Sequence, residues 1–196
     1  MEPRRTNLIF VAAILSATLA GGGYFAYRNR APSAQRVAEY SASWKPGPRA
    51  TLTLVMDRYG PPDAVGTEKA TWYERGPWKR ITIHGREALD FLEQTVGYVV
   101  PAEAARALSD FDHGLRFDRD NDELSATSNA EALNHLALNL ADELCAAKRT
   151  TPEANDLYLR TARLAAAGKS SPYTEGLLFK PYRRSLEPPR HYEFAY

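Results

Sequence analysis

A single cysteine, Cys145, stands among the 196 residues. That scarcity excludes an internal disulfide, a cysteine-built zinc site and a lipid-bearing cysteine near the N-terminus. Histidine is scarce too: His84, His113, His135 and His191 lie far apart, and none follows the C-x-x-C-H spacing of c-type haem attachment. An excess of one charge is missing, since 25 Lys and Arg face 24 Asp and Glu for a net charge of +1. Such a chain has no overall field for nucleic acid, so no nucleic-acid partner is expected. Also absent are G-x-S-x-G, H-E-x-x-H and a glycine-rich loop able to cradle phosphate. The one glycine run, Gly21-Gly22-Gly23, falls inside an apolar stretch. No catalytic residue, resident metal or cofactor is expected.

What is present begins with that stretch. Leu8 to Tyr27 forms an uncharged run of 20 residues, and a helix of that length spans roughly 30 Å, the thickness of a bilayer's hydrocarbon core. Arg4 and Arg5 precede it, Arg28 and Arg30 follow, and Tyr24, Phe25 and Tyr27 sit at one end, where amphipathic rings prefer the headgroup level. A cleavable secretory signal shares this layout, with Ala20-Gly21-Gly22 as a tolerable cleavage site. We take the run as an uncleaved anchor in the lipid bilayer. The three glycines either let another backbone approach closely or merely loosen the helix end. Basic residues on both sides leave the orientation weakly determined; the short Arg-bearing leader favours a domain outside the cytoplasm.

Beyond the run, hydropathy and punctuation divide the chain into a leader (1–7), the anchor (8–27), a linker (28–50), an extramembrane domain (51–168) and an extended arm (169–196). The linker reading rests on polar composition with Pro32, Pro46, Gly47 and Pro48. Leu52, Val55 and Met56 have helical spacing. Trp72 to His84 reads as a hairpin turning at Arg75-Gly76-Pro77, and Leu92 to Val100 as a strand stopped by Pro101. A short helix over 102–108 and a second hairpin between Leu115 and Ser128 follow. Asn129 is expected to cap a helix with a Leu133, Leu136, Leu140 and Leu144 stripe. Thr151 opens a second helix, carrying Leu157, Leu159 and Leu164 and ending at Gly168. The order implies an α+β domain with an antiparallel sheet and packed helices. Charge is divided: residues 1–50 carry seven basic and two acidic groups, the arm five and three, and the domain between them 13 and 19. Basic extensions on an acidic body suit docking by the ends.

Three constellations invite a functional reading. Trp72, Tyr73 and Trp78 with Arg75, Lys79 and Arg80 form a possible ligand surface for a small anionic or aromatic molecule; aromatic packing across a hairpin explains them as well. Asp110, Asp112 and His113 with Asp118, Asp120 and Asp122 resemble part of a calcium loop. The sixth position is Glu123 rather than glycine and the twelfth is Asn129, so a polar turn is the cheaper reading. Cys145 reads as a small buried hydrophobe and His135 as a solvated surface group. The arm combines prolines at 172, 181, 188 and 189 with nine aromatic or large aliphatic residues. An extended, proline-stiffened segment of that kind suits an arm lying along a surface. Its expected partner contacts are Tyr182, Arg183, Arg184, Arg190, Tyr192, Phe194 and Tyr196, with 170–182 wrapping its own domain.

The stretches MDRYGPPDAVGTEKATWYERGPWKRITIH, DFLEQTVGYVVP, LALNLADEL and SPYTEGLLF, in that order, resemble a group of bacterial proteins of unknown function. The resemblance covers residues 51–180 and implies a shared fold without bringing an activity. In that group the segment between the hairpin and the LEQTV strand is often longer and bears histidine, whereas only Gly85 to Asp90 bridge it here, which favours a scaffold role. The expectation is a non-catalytic accessory subunit of a large complex in a bacterial inner membrane, its domain on the periplasmic side and its partners the other subunits. A photosynthetic reaction-centre and light-harvesting assembly is expected as host ahead of a respiratory complex. Pigments there would be contacted without ligation, since residues 8–27 contain no histidine. The alternative from another class is a membrane-tethered binding module using the 72–80 hairpin.

Overall fold

The computed structural model describes residues 31–87 and 89–182. The expected anchor with Tyr24, Phe25 and Tyr27, and the arm residues Arg183, Arg184, Arg190, Tyr192, Phe194 and Tyr196, lie outside the described residues. The chain runs α1 (Ala34–Ser41), α2 (Pro46–Tyr59), β1 (Ala64–Val65), β2 (Lys69–Arg75), β3 (Trp78–His84) and β4 (Leu92–Gly97). A single 3-10 turn (Ala102–Ala104) leads into α3 (Ala105–Phe111), followed by β5 (Leu115–Asp118), β6 (Glu123–Ser128), α4 (Glu131–Cys145), α5 (Thr151–Ala166) and the one-turn α6 (Pro172–Glu175). This is the expected α+β arrangement, built on one six-stranded sheet in the order β1-β2-β3-β4-β6-β5. Every pairing is antiparallel.

Strand alternation sorts the sheet into two unlike faces. Register aligns Trp72, Ile81, Gln94, Ala126 and Leu115 across the strands, with Ala70, Ile83 and Leu92 in the next row and Val96, Leu124 and Phe117 beyond. Apart from the buried amide of Gln94, these residues form the core with Leu136, Leu138, Leu140 and Leu144 of α4, Leu115 and Phe117 half-buried at its margin. The other face aligns Tyr73, Arg80, Thr95, Ser125 and Arg116, then Thr71, Thr82, Glu93 and Thr127, a polar face in which Thr71, Thr82, Thr95 and Ser125 are buried. The first hairpin closes on Gly76 at φ 56° followed by Pro77, the pattern of a type II′ turn, whose twist matches that of the strands.

The expected linker over 28–50 is corrected. Residues 34–41 form a helix whose Ser33 hydroxyl accepts from the Arg36 N–H at 3.3 Å, and Val37 and Trp44 are buried in the core. Pro46, Gly47 and Pro48 read as breakers, yet they occupy the first turn of α2, where proline's missing N–H costs nothing. The expected cap is also displaced: Ala130, not Asn129, is the N-cap residue of α4. Among the described residues no side chain caps its first N–H groups; the Ser128 hydroxyl instead ties the approach to the helix, accepting from the Ala130 N–H at 3.3 Å and donating to Asn134 Oδ1 at 2.7 Å. α5 starts at Thr151 as expected, with Pro152 in its first turn, and Thr150 rather than Thr151 forms a capping box with Glu153. Its inner stripe is Ala154, Leu157, Tyr158, Thr161 and Ala162, while Leu159 and Leu164 are exposed. Small residues at helical spacing decide how closely α5 approaches its neighbours, and the larger leucines fall off that stripe.

Candidate functional site

The 72–80 hairpin does not present its residues together. Trp72 and Trp78 are 0% and 1% exposed, and the Trp72 indole donates to the Gly60 carbonyl at 2.9 Å. Tyr73 is 51% exposed. Arg75 pairs with Asp63 at 2.7 Å, and Asp63 also accepts from the Tyr73 N–H at 2.7 Å. The pair thus plugs the open edge of β2, where an unpaired N–H would otherwise invite another strand. Arg80 reaches Glu123 at 3.2 Å and Thr95 at 3.3 Å across the polar face. The tryptophans the ligand reading needs are in the core, and the arginines are engaged by carboxylates.

A buried polar hub lies instead at the start of α4. Glu131 Oε1 accepts from the Tyr59 hydroxyl at 2.5 Å, the Trp78 indole at 2.9 Å and the Gln94 amide at 3.0 Å. Its second oxygen accepts from Arg58 at 2.8 Å. Burial, reinforced by the bond to Glu131, pushes the Tyr59 hydroxyl up to about 12. One turn on, His135 is 3% exposed and stacks on Trp78 with ring centroids 5.2 Å apart. Desolvation holds its pKa below the usual 6.5. The solvated-surface reading of His135 is therefore corrected. Asn134 is buried beside it, donating to Gln94 and to the Leu92 carbonyl at 3.0 Å each. The signal that marks this polar stripe as buried is compositional: α4 contains no lysine or arginine, the residues that ordinarily clothe a solvated helix face.

The first part of the arm is a strap bonded to that helix. The Asn139 amide donates to the carbonyls of Tyr173 at 3.0 Å and Gly176 at 2.8 Å, and its oxygen accepts from the Leu178 N–H at 2.7 Å. Tyr173 donates to Glu143 at 2.6 Å, and Arg149 donates to the same carboxylate at 2.7 Å. Burial alone would raise Glu143; those two bonds bring it below the usual carboxylate value. Phe179 meets Tyr98 edge-on, and Tyr98 donates to Asp142 at 2.9 Å. The strap ends with the Tyr182 N–H donating to the Gly97 carbonyl at 2.7 Å. The Tyr182 carbonyl fills the space a side chain at 97 would need. By strand alternation that space belongs to the polar face, so the strap has come round the end of β4. The expectation that 170–182 wraps its own domain is met, with Tyr182 half-exposed where the chain leaves.

The acidic constellation does not converge. Asp110 pairs with Arg106 at 3.7 Å, and Asp112 accepts from the Gly114 N–H at 3.3 Å. His113 stacks on Tyr158 and lies 2.7 Å from Asn155 Oδ1. Asp118 accepts from the Asp120 and Asn121 N–H groups at 3.0 and 3.1 Å, the polar turn favoured by its sequence. Among the described residues no group of three or more His, Cys, Asp or Glu is placed to hold a metal ion. A cleft of about 440 Å³ on the polar face is lined by His84, Asp90, Glu93, Asp112 and Arg116. There His84 lies 3.3 Å from Glu93, and this bond holds the carboxyl below its usual range. Cys145 is half-buried, and desolvation raises its thiol, consistent with a small hydrophobe.

No family model matches the chain, and no curated protein or solved structure matches it. Among the described residues no helix is long and apolar enough to cross a membrane; the run at 8–27 is not among them.

Proposed function

We propose that the protein is a non-catalytic, membrane-anchored accessory subunit whose domain holds two attachment segments apart. The observation that carries this reading is where the N-terminal helices and the C-terminal strap join the sheet. At one end the Lys45 N–H donates to the Gly85 carbonyl at 2.9 Å, and α1 packs against β1. Gly85 follows His84, which pairs with Lys69 at the end of β3, while β1 pairs further in, with Ala70 and Thr71. At the other end Tyr182 is bonded to Gly97, on the far side of the Arg80–Thr95 pair. Seven-residue β3 separates these levels, roughly 20 Å at 3.3 Å per residue. Folding of 34–50 also shortens the expected linker: only residues 28–33 connect the apolar run to α1, a reach of about 20 Å at most. An apolar anchor thereby holds the domain close to the bilayer, and the aromatic, basic segment 183–196 follows directly on Tyr182, which is tied to Gly97. The engaged hairpin arginines and buried tryptophans speak for this reading over a ligand-binding module.

The test is purification of the tagged full-length chain in mild detergent, followed by native electrophoresis, mass spectrometry and an absorption spectrum. The expected result is co-migration with a large complex, lost on deletion of 183–196. Pigment bands would assign a photosynthetic host and haem bands a respiratory one. A small, colourless, solitary species would overturn the proposal.

A further inference from the structure

His135 joins the hub to the strap. Its Nδ1 lies 3.3 Å from the Thr174 carbonyl oxygen. A carbonyl only accepts, so Nδ1 carries the hydrogen, and the neutral ring leaves Nε2 bare. The ring lies between two elements of unequal strength. On one side is Trp78, whose strand is paired within the sheet and whose indole is held by Glu131. On the other is a strap containing one four-residue helical turn, attached to α4 chiefly through Asn139 and the Tyr173–Glu143 bond.

The charges facing the ring come from few places. On α4 itself Glu131 lies one turn before and attracts a proton, and from α2 Arg58 opposes it. Tyr59 is neutral and committed to Glu131. The strap presents only the uncharged Thr174 carbonyl, Glu175 being exposed. A second proton would put a full charge in a nearly dry site, with burial outweighing the help from Glu131 and from the Thr174 carbonyl. Hydrating that charge requires one cover to lift, and local opening takes the least costly route.

We infer that His135 is an acid-operated latch, releasing residues 171–182 from α4 when its ring takes up a second proton. The inference concerns the mount from which 183–196 departs and stands whatever that segment binds. The sign follows from linkage. A ring held below 6.5 in the closed strap binds protons better when the strap is open. Opening is therefore favoured as pH falls below about 6.5, by at most about tenfold per pH unit for one group. Glu143, held below its usual carboxylate value, titrates at lower pH and leaves this window to His135.

The test is hydrogen exchange by mass spectrometry on the full-length chain in detergent between pH 7.5 and 5.0, corrected for intrinsic rates. Peptides from 171–182 are expected to gain opening by up to about tenfold per unit, with the β3 and β4 peptides unchanged. His135→Gln keeps a donor for Thr174 but does not titrate, so its strap opening is expected to be flat with pH. An independent reading is the wild-type His135 ring shift by NMR, whose midpoint should coincide with strap opening. A strap insensitive to pH, an unchanged slope in His135→Gln, or a ring still neutral when the strap has opened would each overturn the inference.

Discussion

Removing the Glu131 carboxylate tests whether the hub holds the fold together. In Glu131→Ala the Tyr59 hydroxyl, Trp78 indole and Gln94 amide all lose their shared acceptor. A stranded buried donor costs about 1–3 kcal/mol, but the Trp78 indole keeps a 3.1 Å approach to Tyr59. Arg58 is more than half exposed, so its pairing adds under about 1 kcal/mol. The first-turn carboxylate adds about 0.3–1 kcal/mol through the helix dipole. The expected total is about 3–5 kcal/mol, a large share of the 5–15 kcal/mol typical of a domain. Glu131→Gln keeps the volume but must turn its NH₂ toward either Arg58 or the three donors, and is expected to lose about 1.5–3 kcal/mol. Urea unfolding of the full-length chain, followed by tryptophan fluorescence, measures both. A Tyr59 titration, taken as a difference against Tyr59→Phe, should fall from about 12 toward 10 in the Ala variant without reaching it, since burial is the larger cause. An Ala variant within about 1 kcal/mol of wild type, or an unmoved Tyr59, would refute the reasoning.

Other expectations follow from single contacts. Gly97→Ala would drive a methyl group into the Tyr182 carbonyl; exchange protection at 179–182 should be lost while the β4–β6 peptides keep theirs. Gly85→Ala would collide with the Trp44 ring, costing about 1–3 kcal/mol by overpacking, visible as a lowered unfolding midpoint with altered tryptophan emission. Asp63→Ala should cost under about 1 kcal/mol yet open the β2 edge, with self-association by light scattering as the readout. His84→Ala removes the bond that holds Glu93 below its usual value. The stability lost in the wild type as pH falls below about 4.5 through that lowered value should then shrink, as measured by unfolding midpoints between pH 7 and 3.

Local pattern carried much of the fold. Alternation made both hairpins legible, because Ile81 and Ile83, or Leu124 and Ala126, need only one buried face to be readable. The leucine stripe of α4 and the Thr151–Pro152 start of α5 were legible for the same reason: each is contained within a single element. The site was far less so. Glu131, Asn134, His135 and Asn139 form a polar stripe that by itself looks like a solvent-facing one. What buries it is the Trp78 hairpin from one direction and the strap from another, segments about 35 to 55 residues away in the chain.

The sequence by itself determined which residues could pair, turn and cap, since those outcomes depend on backbone stereochemistry and the spacing of apolar groups over a few residues. It made Gly76-Pro77 a turn, 115–128 a hairpin and 170–182 a segment with anchors for its own domain. Only the tertiary structure decided which surfaces would be covered. It drew 34–50 into the body through Val37 and Trp44, left Leu159 and Leu164 outside, took the tryptophans of the first hairpin into the core, and brought the strap round β4 to its end at Tyr182. Burial is a property of where distant segments meet, and no short window of sequence contains both partners of such a contact.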